Sequence, residues 1–299
     1  MDAKVVAWCE YVVPDAADDA LRWIASRTGL RWGVMPKRQY WFQSPKLHVV
    51  LCALAMIFCV VLYRQSRGFR AGAVARLTAR GRGRSLRCPL NKLIAYVLML
   101  CMAGQVVAKL SRPKPLVQLG WLLMPCHIFT ACWIHLFLRD APRHYGRGCY
   151  LASLLVDWMW SPLGALAQPD WGDHQYFWEG HMFFVHHALL VLLPVYFAAR
   201  YDTLGLDWAH VCHFTWLPTF VNFAVFVPCA LLLGLNVNYQ LSPPRLGRSA
   251  PAVLATALYR PPFVVLCVLL SIGANAVVRL LGKIIHAVCA TTSKLVKLD

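Results

Sequence analysis

Apolar runs long enough to cross a lipid bilayer recur along this chain, and no other feature restricts its fold so strongly. They cover residues 47–63, 93–110, 116–138, 149–167, 181–199, 208–233 and 262–278. Each is near the ~20 residues with which an α-helix spans about 30 Å of hydrocarbon. A helix pairs its own backbone N–H and C=O groups, which hydrocarbon cannot do for it. The 299 residues are 59% hydrophobic and 14% charged, against about 25% charged in an average soluble domain. The expected fold is all-α, a polytopic transmembrane helical bundle of about seven spans. The runs are too apolar and too aperiodic for a membrane β-barrel.

The formal net charge of +17 raises the question of a nucleic-acid partner. Its distribution answers it. Residues 64–92, between the first two runs, hold nine basic residues and no acidic one: Arg64, Arg67, Arg70, Arg76, Arg80, Arg82, Arg84, Arg87 and Lys92. A basic loop beside a span reads as cytosolic and suits anionic headgroups. No nucleic-acid-binding signature accompanies it, so none is expected as a partner. This orientation puts the N-terminus in the lumen or outside. It makes 282–299, with Lys283, Lys294 and Lys297, a basic cytosolic tail. Residues 168–180, with Asp170, Asp173 and Glu179, become lumenal. Residues 47–281 are then the transmembrane bundle, and 1–46 an extramembrane segment.

Within that segment "PDAADDALRWIASRTG" predicts a short amphipathic helix, capped by Asp15, stopped by Gly29, and apolar along Leu21, Ile24 and Ala25. Residues 1–20 carry five acidic residues and lack the basic start of a cleavable signal peptide. The Gly/Arg-rich stretch Arg80 to Arg87 reads as unstructured until it meets lipid. Most of the twelve cysteines lie in or beside apolar runs, as small hydrophobes do. No CxxC or zinc-type spacing appears.

Polar side chains at membrane depth are costly and face a bundle's interior. Three groups meet that description. "LLMPCHIFTACWIHLF" places Pro125, Cys126 and His127 in the middle of the third run, where proline predicts a kink. Thr130, four residues on, shares a helix face with Cys126, whereas His127 is rotated about 100° from it. "HMFFVHHALLVLLPVYF" carries His181, His186 and His187, with Pro194 below. "LNVNYQLSP" offers Asn236 and Asn238. Cys, His and Asn together are the parts of a nucleophilic acyl-transfer site. Each group also has a plain structural use: a packing kink, a hydrogen-bonded histidine, a turn-forming Asn. The enzymatic reading requires the third and fifth spans to be neighbours.

In their order and internal spacing these three motifs resemble the transmembrane protein 164 family of integral-membrane lipid acyltransferases. "MPCHIFT" is similar to its Pro-Cys-His segment. "EGHMFFVHHALLVLLPVY" matches its Glu eight residues before a His, with Pro and Tyr seven and nine after, a register that selects Glu179, His187, Pro194 and Tyr196. "NVNYQLSP" is similar to its Asn-x-Asn-x-x-Leu-x-Pro element, Asn236 to Pro243. Asn222 falls where the family has a His, and the nearest histidine is His213. The resemblance implies an active site inside the bundle, with Cys126 carrying the acyl group and His187 serving as base and acid. It implies support from Asn236, Asn238, His127, His186, Thr130 and Glu179. The implied reaction moves an acyl chain from a phospholipid to a lysophospholipid without coenzyme A, with ether-linked lysophosphatidylethanolamine as acceptor. No cofactor or metal is called for, and an endoplasmic-reticulum or Golgi membrane is the expected address. Distant relatives, membrane hydrolases of the androgen-induced-gene-1 type, use Thr and His.

Other classes stay open on the residues alone. A lipid ester hydrolase would use the same Cys and His with water as acceptor. A transporter would use broken helices and intramembrane His, although Asp157 is the one clear carboxylate within the runs. A heme or metal protein would draw on His186, His187 and His213.

Overall fold

The computed structural model describes residues 2–28, 31–32, 40–41, 43–139, 144–169, 174–241, 243, 256 and 258–295. Gly29, Asp170, Asp173 and Lys297 lie outside them. Among the described residues the fold is helical, apart from a two-residue parallel pairing of Arg31–Trp32 with Tyr40–Trp41. In chain order the helices are α1 (Asp2–Val12), α2 (Asp15–Arg27), α3 (Pro45–Gln65), α4 (Phe69–Arg80), α5 (Pro89–Leu110), α6 (Pro115–Gln118), α7 (Pro125–Leu138), α8 (Tyr145–Asp157), α9 (Trp160–Ala167), α10 (Phe177–Arg200), α11 (Trp208–Val221), α12 (Val227–Leu233) and α13 (Arg260–Leu295).

Five segments are long and apolar enough to span a bilayer: Pro45–Gln65, Pro89–Leu110, Phe177–Arg200, Trp208–Leu233 and Arg260–Cys289. A sixth is broken, Pro115–Leu123 followed by Pro125–Leu138. The seventh expected run, 149–167, divides at Trp158–Met159 into α8 and α9, neither of which is long enough. The spans sort their side chains by face. On α5, Ala95, Leu98, Cys101, Gln105 and Ala108 are buried, while Leu93, Tyr96, Leu100 and Val107 are exposed. An outward apolar face of this extent belongs in lipid: the chain is an integral membrane protein.

The chain clusters into two compact units. The first comprises Met1–Gln65, Arg112–Met124 and Cys212–Val268. Here α1 and α2 pack on α3, with Cys9, Leu47 and Leu51 as a core. Ala25 of α2 is buried and Leu21 and Ile24 half-buried, as the amphipathic pattern requires. Asp15 is the first residue of α2 and not its cap, a place taken by Pro14. Its carboxylate instead accepts from the buried Lys46 Nζ at 2.7 Å, and that ammonium holds the Asp15 carboxyl below the usual carboxylate range.

The second unit comprises Ser66–Ser111, Pro125–Val211 and Leu269–Asp299. In it α7 packs on α5, α8 and α10, and α4 on α8. Trp133, Phe137 and Phe197 form its aromatic core, with Trp133 centred 5.4 Å from Phe137 and 5.8 Å from Phe197. The stretch expected to lack structure is anchored. Arg84 pairs with Asp202 at 2.9 Å and donates to the Arg200 carbonyl.

Candidate functional site

Proline sets the local geometry. Proline disfavours the α region for the residue before it. Met124 accordingly takes φ −59° and ψ 141°, and the 3-10 turn Leu119–Leu123 stops there. Pro125 then opens α7, at the first helical position, where its missing N–H costs nothing. The expected kink within one continuous span is therefore a complete break. Cys126 and His127 occupy the first turn of a new helix, whose N–H groups have no partner within it.

The fifth-span histidines lie on α10. Glu179 fixes the start of that helix: its Oε2 accepts from the Gln175 and Tyr176 backbone N–H at 2.7 and 2.9 Å. Glu179 is thus a helix cap, buried to 1% exposure. His186 and His187 follow on the buried face of α10. Because α7 packs on α10 in the second unit, the two elements are neighbours, as the acyl-transfer reading required.

The contacts are specific. The Thr130 hydroxyl lies 2.7 Å from the Cys126 carbonyl and also bonds to His186 Nε2. A carbonyl can only accept, so the Thr130 hydrogen goes there and His186 Nε2 donates to the hydroxyl oxygen. His186 stacks on His127, centroids 5.6 Å apart and planes 11° from parallel. The Nδ1 atoms of His127 and His186 are buried with no protein partner among the described residues. His187 is engaged differently: its Nδ1 sits 2.9 Å from the Phe183 carbonyl. That nitrogen must carry the hydrogen, which leaves the Nε2 lone pair of neutral His187 open. The ring is 4% exposed and centred 4.0 Å from Phe183. Cys126 is partly exposed, and its sulfur is within reach of the His127 backbone N–H.

One residue at this site escaped the sequence reading. Lys109, near the end of α5, is only 5% exposed and interacts electrostatically with both Cys126 and His127. Gln105, one turn earlier on α5, is buried too. A lysine close to the end of an apolar run usually snorkels to the interface. Its one available signal was the sequence VVAKL, in which the charge precedes the end of the run.

The Asn motif belongs to the first unit, and its side chains serve their own turn. Asn236 Oδ1 accepts from the Leu241 N–H at 2.8 Å. Asn238, left-handed at φ 46°, donates through Nδ2 to Asn222 Oδ1 at 2.5 Å, and Gln240 Nε2 donates to the same oxygen at 3.0 Å. The Asn238 N–H points at Met124 Sδ, 3.2 Å away. Asn222, where the resemblance called for His, is the hub of this turn. His213, also of the first unit, accepts from Trp216 Nε1 at 3.2 Å. Among the described residues no three His, Cys, Asp or Glu side chains converge as metal ligands do.

The family model described as the TMEM164 family matches residues 40–281. A Dictyostelium discoideum protein named "Transmembrane protein 164 homolog" is 25% identical over 203 residues, 66% of this chain and 70% of that relative. No solved structure matches.

Proposed function

The chain belongs to the TMEM164 family, and on that footing we propose that it is a phospholipid acyltransferase, a coenzyme A-independent transacylase of endoplasmic-reticulum or Golgi membranes. Cys126 is the nucleophile and His187 the base. The supporting observation is the bond from His187 Nδ1 to the Phe183 carbonyl, which sets the tautomer a general base needs and aims its lone pair away from its own helix.

In the first half-reaction the Cys126 thiol gives its proton to His187 Nε2 and the sulfur attacks the ester carbonyl of a phospholipid. The tetrahedral intermediate expels the lysophospholipid alkoxide, which takes that proton back, leaving an acyl thioester on Cys126. In the second half-reaction the hydroxyl of another lysophospholipid gives its proton to His187 and attacks the thioester. The thiolate leaves and is reprotonated. Negative charge builds first on sulfur and then on the carbonyl oxygen. The first-turn N–H groups of α7 and the buried Lys109 ammonium are the groups suited to stabilise it. Thr130 and His186 brace the turn that carries Cys126. An ester entering from the leaflet explains why the site lies among helices and not in an aqueous cleft.

The test is transfer by purified protein between labelled phosphatidylcholine and ether-linked lysophosphatidylethanolamine, without coenzyme A. The expected product is acylated ether lipid, abolished by Cys126→Ser. Free fatty acid without transfer would assign the site to the hydrolase reading. Turnover of neither kind, with solute flux indifferent to Cys126→Ala, would assign the protein to transport.

A further inference from the structure

A second feature of the second unit lies at the far end of α7 from Cys126, about 20 Å away by the rise of a 14-residue helix. There a cavity of about 70 Å³ opens between the end of α7 and the start of α8, lined by His135, Arg139, His144 and Arg147 over a floor of Leu86 and Leu136. Thr78 and Val74 of α4 continue it on the other side of His144 and Arg147. The packing that forms it is close. A Cβ on Gly146 would lie 2.7 Å from the Val74 carbonyl and 2.8 Å from the Thr78 nitrogen, so only glycine lets α4 approach the first turn of α8.

Four of the cavity's five titratable side chains are basic, and the fifth is Tyr145. Arg139 donates to His135 Nε2 at 3.2 Å, which turns the guanidinium and imidazole toward one another. Arg147 is exposed and makes no ion pair among the described residues. Among the described residues, Asp202 touches this end of α8, held by the Tyr145 hydroxyl at 2.7 Å and by Arg84 at 2.9 Å. Asp140 and Arg143, in the connection between α7 and α8, lie outside the described residues. His144, at the N-cap of α8, gives no side-chain cap to that helix. Its first-turn N–H groups therefore add positive potential to the same place.

We propose that this cavity binds a phosphate group, presented by the headgroup of an anionic lipid. Two guanidiniums offer the forked donors that a phosphate accepts, and the part of the cavity between α7 and α8, about 70 Å³, fits a small oxyanion. The apolar run of α7 ends at Leu138, one residue before Arg139, so the cavity lies where headgroups meet a span. The leucine floor takes the start of the glycerol. This site is independent of the acyl-transfer reading and does not rest on it.

The test uses the full-length protein in nanodiscs of neutral lipid, titrated with dioctanoyl phosphatidic acid, inorganic phosphate and dioctanoyl phosphatidylcholine. Phosphatidic acid is expected to bind the wild type, and at least 10-fold more weakly the double variant Arg139→Gln/Arg147→Gln. The control Arg76→Gln/Arg80→Gln, on the exposed side of α4, removes the same charge and should leave binding within 2-fold. Inorganic phosphate that displaces the lipid fully would support the pocket with free phosphate as its ligand, whereas phosphate that fails to do so supports the lipid source. Equal loss in both double variants, or binding of phosphatidylcholine as tight as phosphatidic acid, would overturn the proposal. Should the Arg139/Arg147 variant not melt cooperatively, the single Arg147→Lys and Arg147→Gln variants serve, the first retaining affinity and the second losing it.

Discussion

At the scale of single residues, the proposed acyl transfer depends on which histidine is the base. Spacing could not decide it, because His186 and His187 are adjacent and both fall on the buried face of α10. The family register pointed to His187. The hydrogen bonds give a physical ground for the same choice, since His186 Nε2 is tied to Thr130 and His187 keeps Nε2 open. His187→Ala should lower acyl transfer at least ~100-fold, as loss of a general base does. His186→Ala should cost about 10-fold or less, through the loosened turn. Steady-state transfer rates of the two variants check this, and the reverse order would contradict the tautomer argument. Cys132→Ser, on the same helix, should be mild. A loss as severe as that of Cys126→Ser would mean the wrong thiol had been chosen. The buried Lys109 was not legible, because its burial comes from packing between helices that no local pattern records.

At the scale of elements, hydropathy found the runs and failed at their breaks. The run 116–138 satisfies any apolar count, yet Met124, which Pro125 biases away from the α region, leaves the helix there. A window average sees transfer energy and not backbone angles. The division of α8 from α9 was hidden for the same reason, although Asp157 at the end of α8 marked it. On the proposed mechanism, the break at Met124 matters for acyl transfer. Pro125→Ala lifts the restriction on Met124, and in apolar surroundings helix through 124 is favoured because it pairs backbone groups. Cys126 would then lose its place in a first turn. Transfer should fall about 10- to 100-fold, the size of an oxyanion donor's effect, while the protein stays folded by circular dichroism. Full activity in a folded Pro125→Ala would show that the break is only architectural.

At the scale of the whole molecule, the membrane class followed from composition and the length of the runs. The two units did not, since each collects three separated stretches of chain. Beside its apolar contacts, a buried polar network ties the second unit together. Asp157, fully buried, faces His210 Nε2 at 2.9 Å and accepts from Asn275 Nδ2 at 2.7 Å. His210 Nδ1 donates to the Gly205 carbonyl. One carboxylate thus links α8, the start of α11 and α13. Asp157→Leu removes the acceptor that faces His210 and Asn275, whose side chains stay buried, and should cost about 1–3 kcal/mol, read as a lower Tm in nanodiscs. An unchanged Tm would contradict this role for the network.

The central claim is that one sulfur carries the acyl chain between two lipids. Its most direct test is the mass of the Cys126 peptide after the protein meets phosphatidylcholine with no acceptor present. A hydroxylamine-labile adduct of one fatty acyl group, on Cys126 and absent in His187→Ala, is the result expected. Transfer that proceeds at full rate while Cys126 stays unmodified under rapid quenching would contradict it.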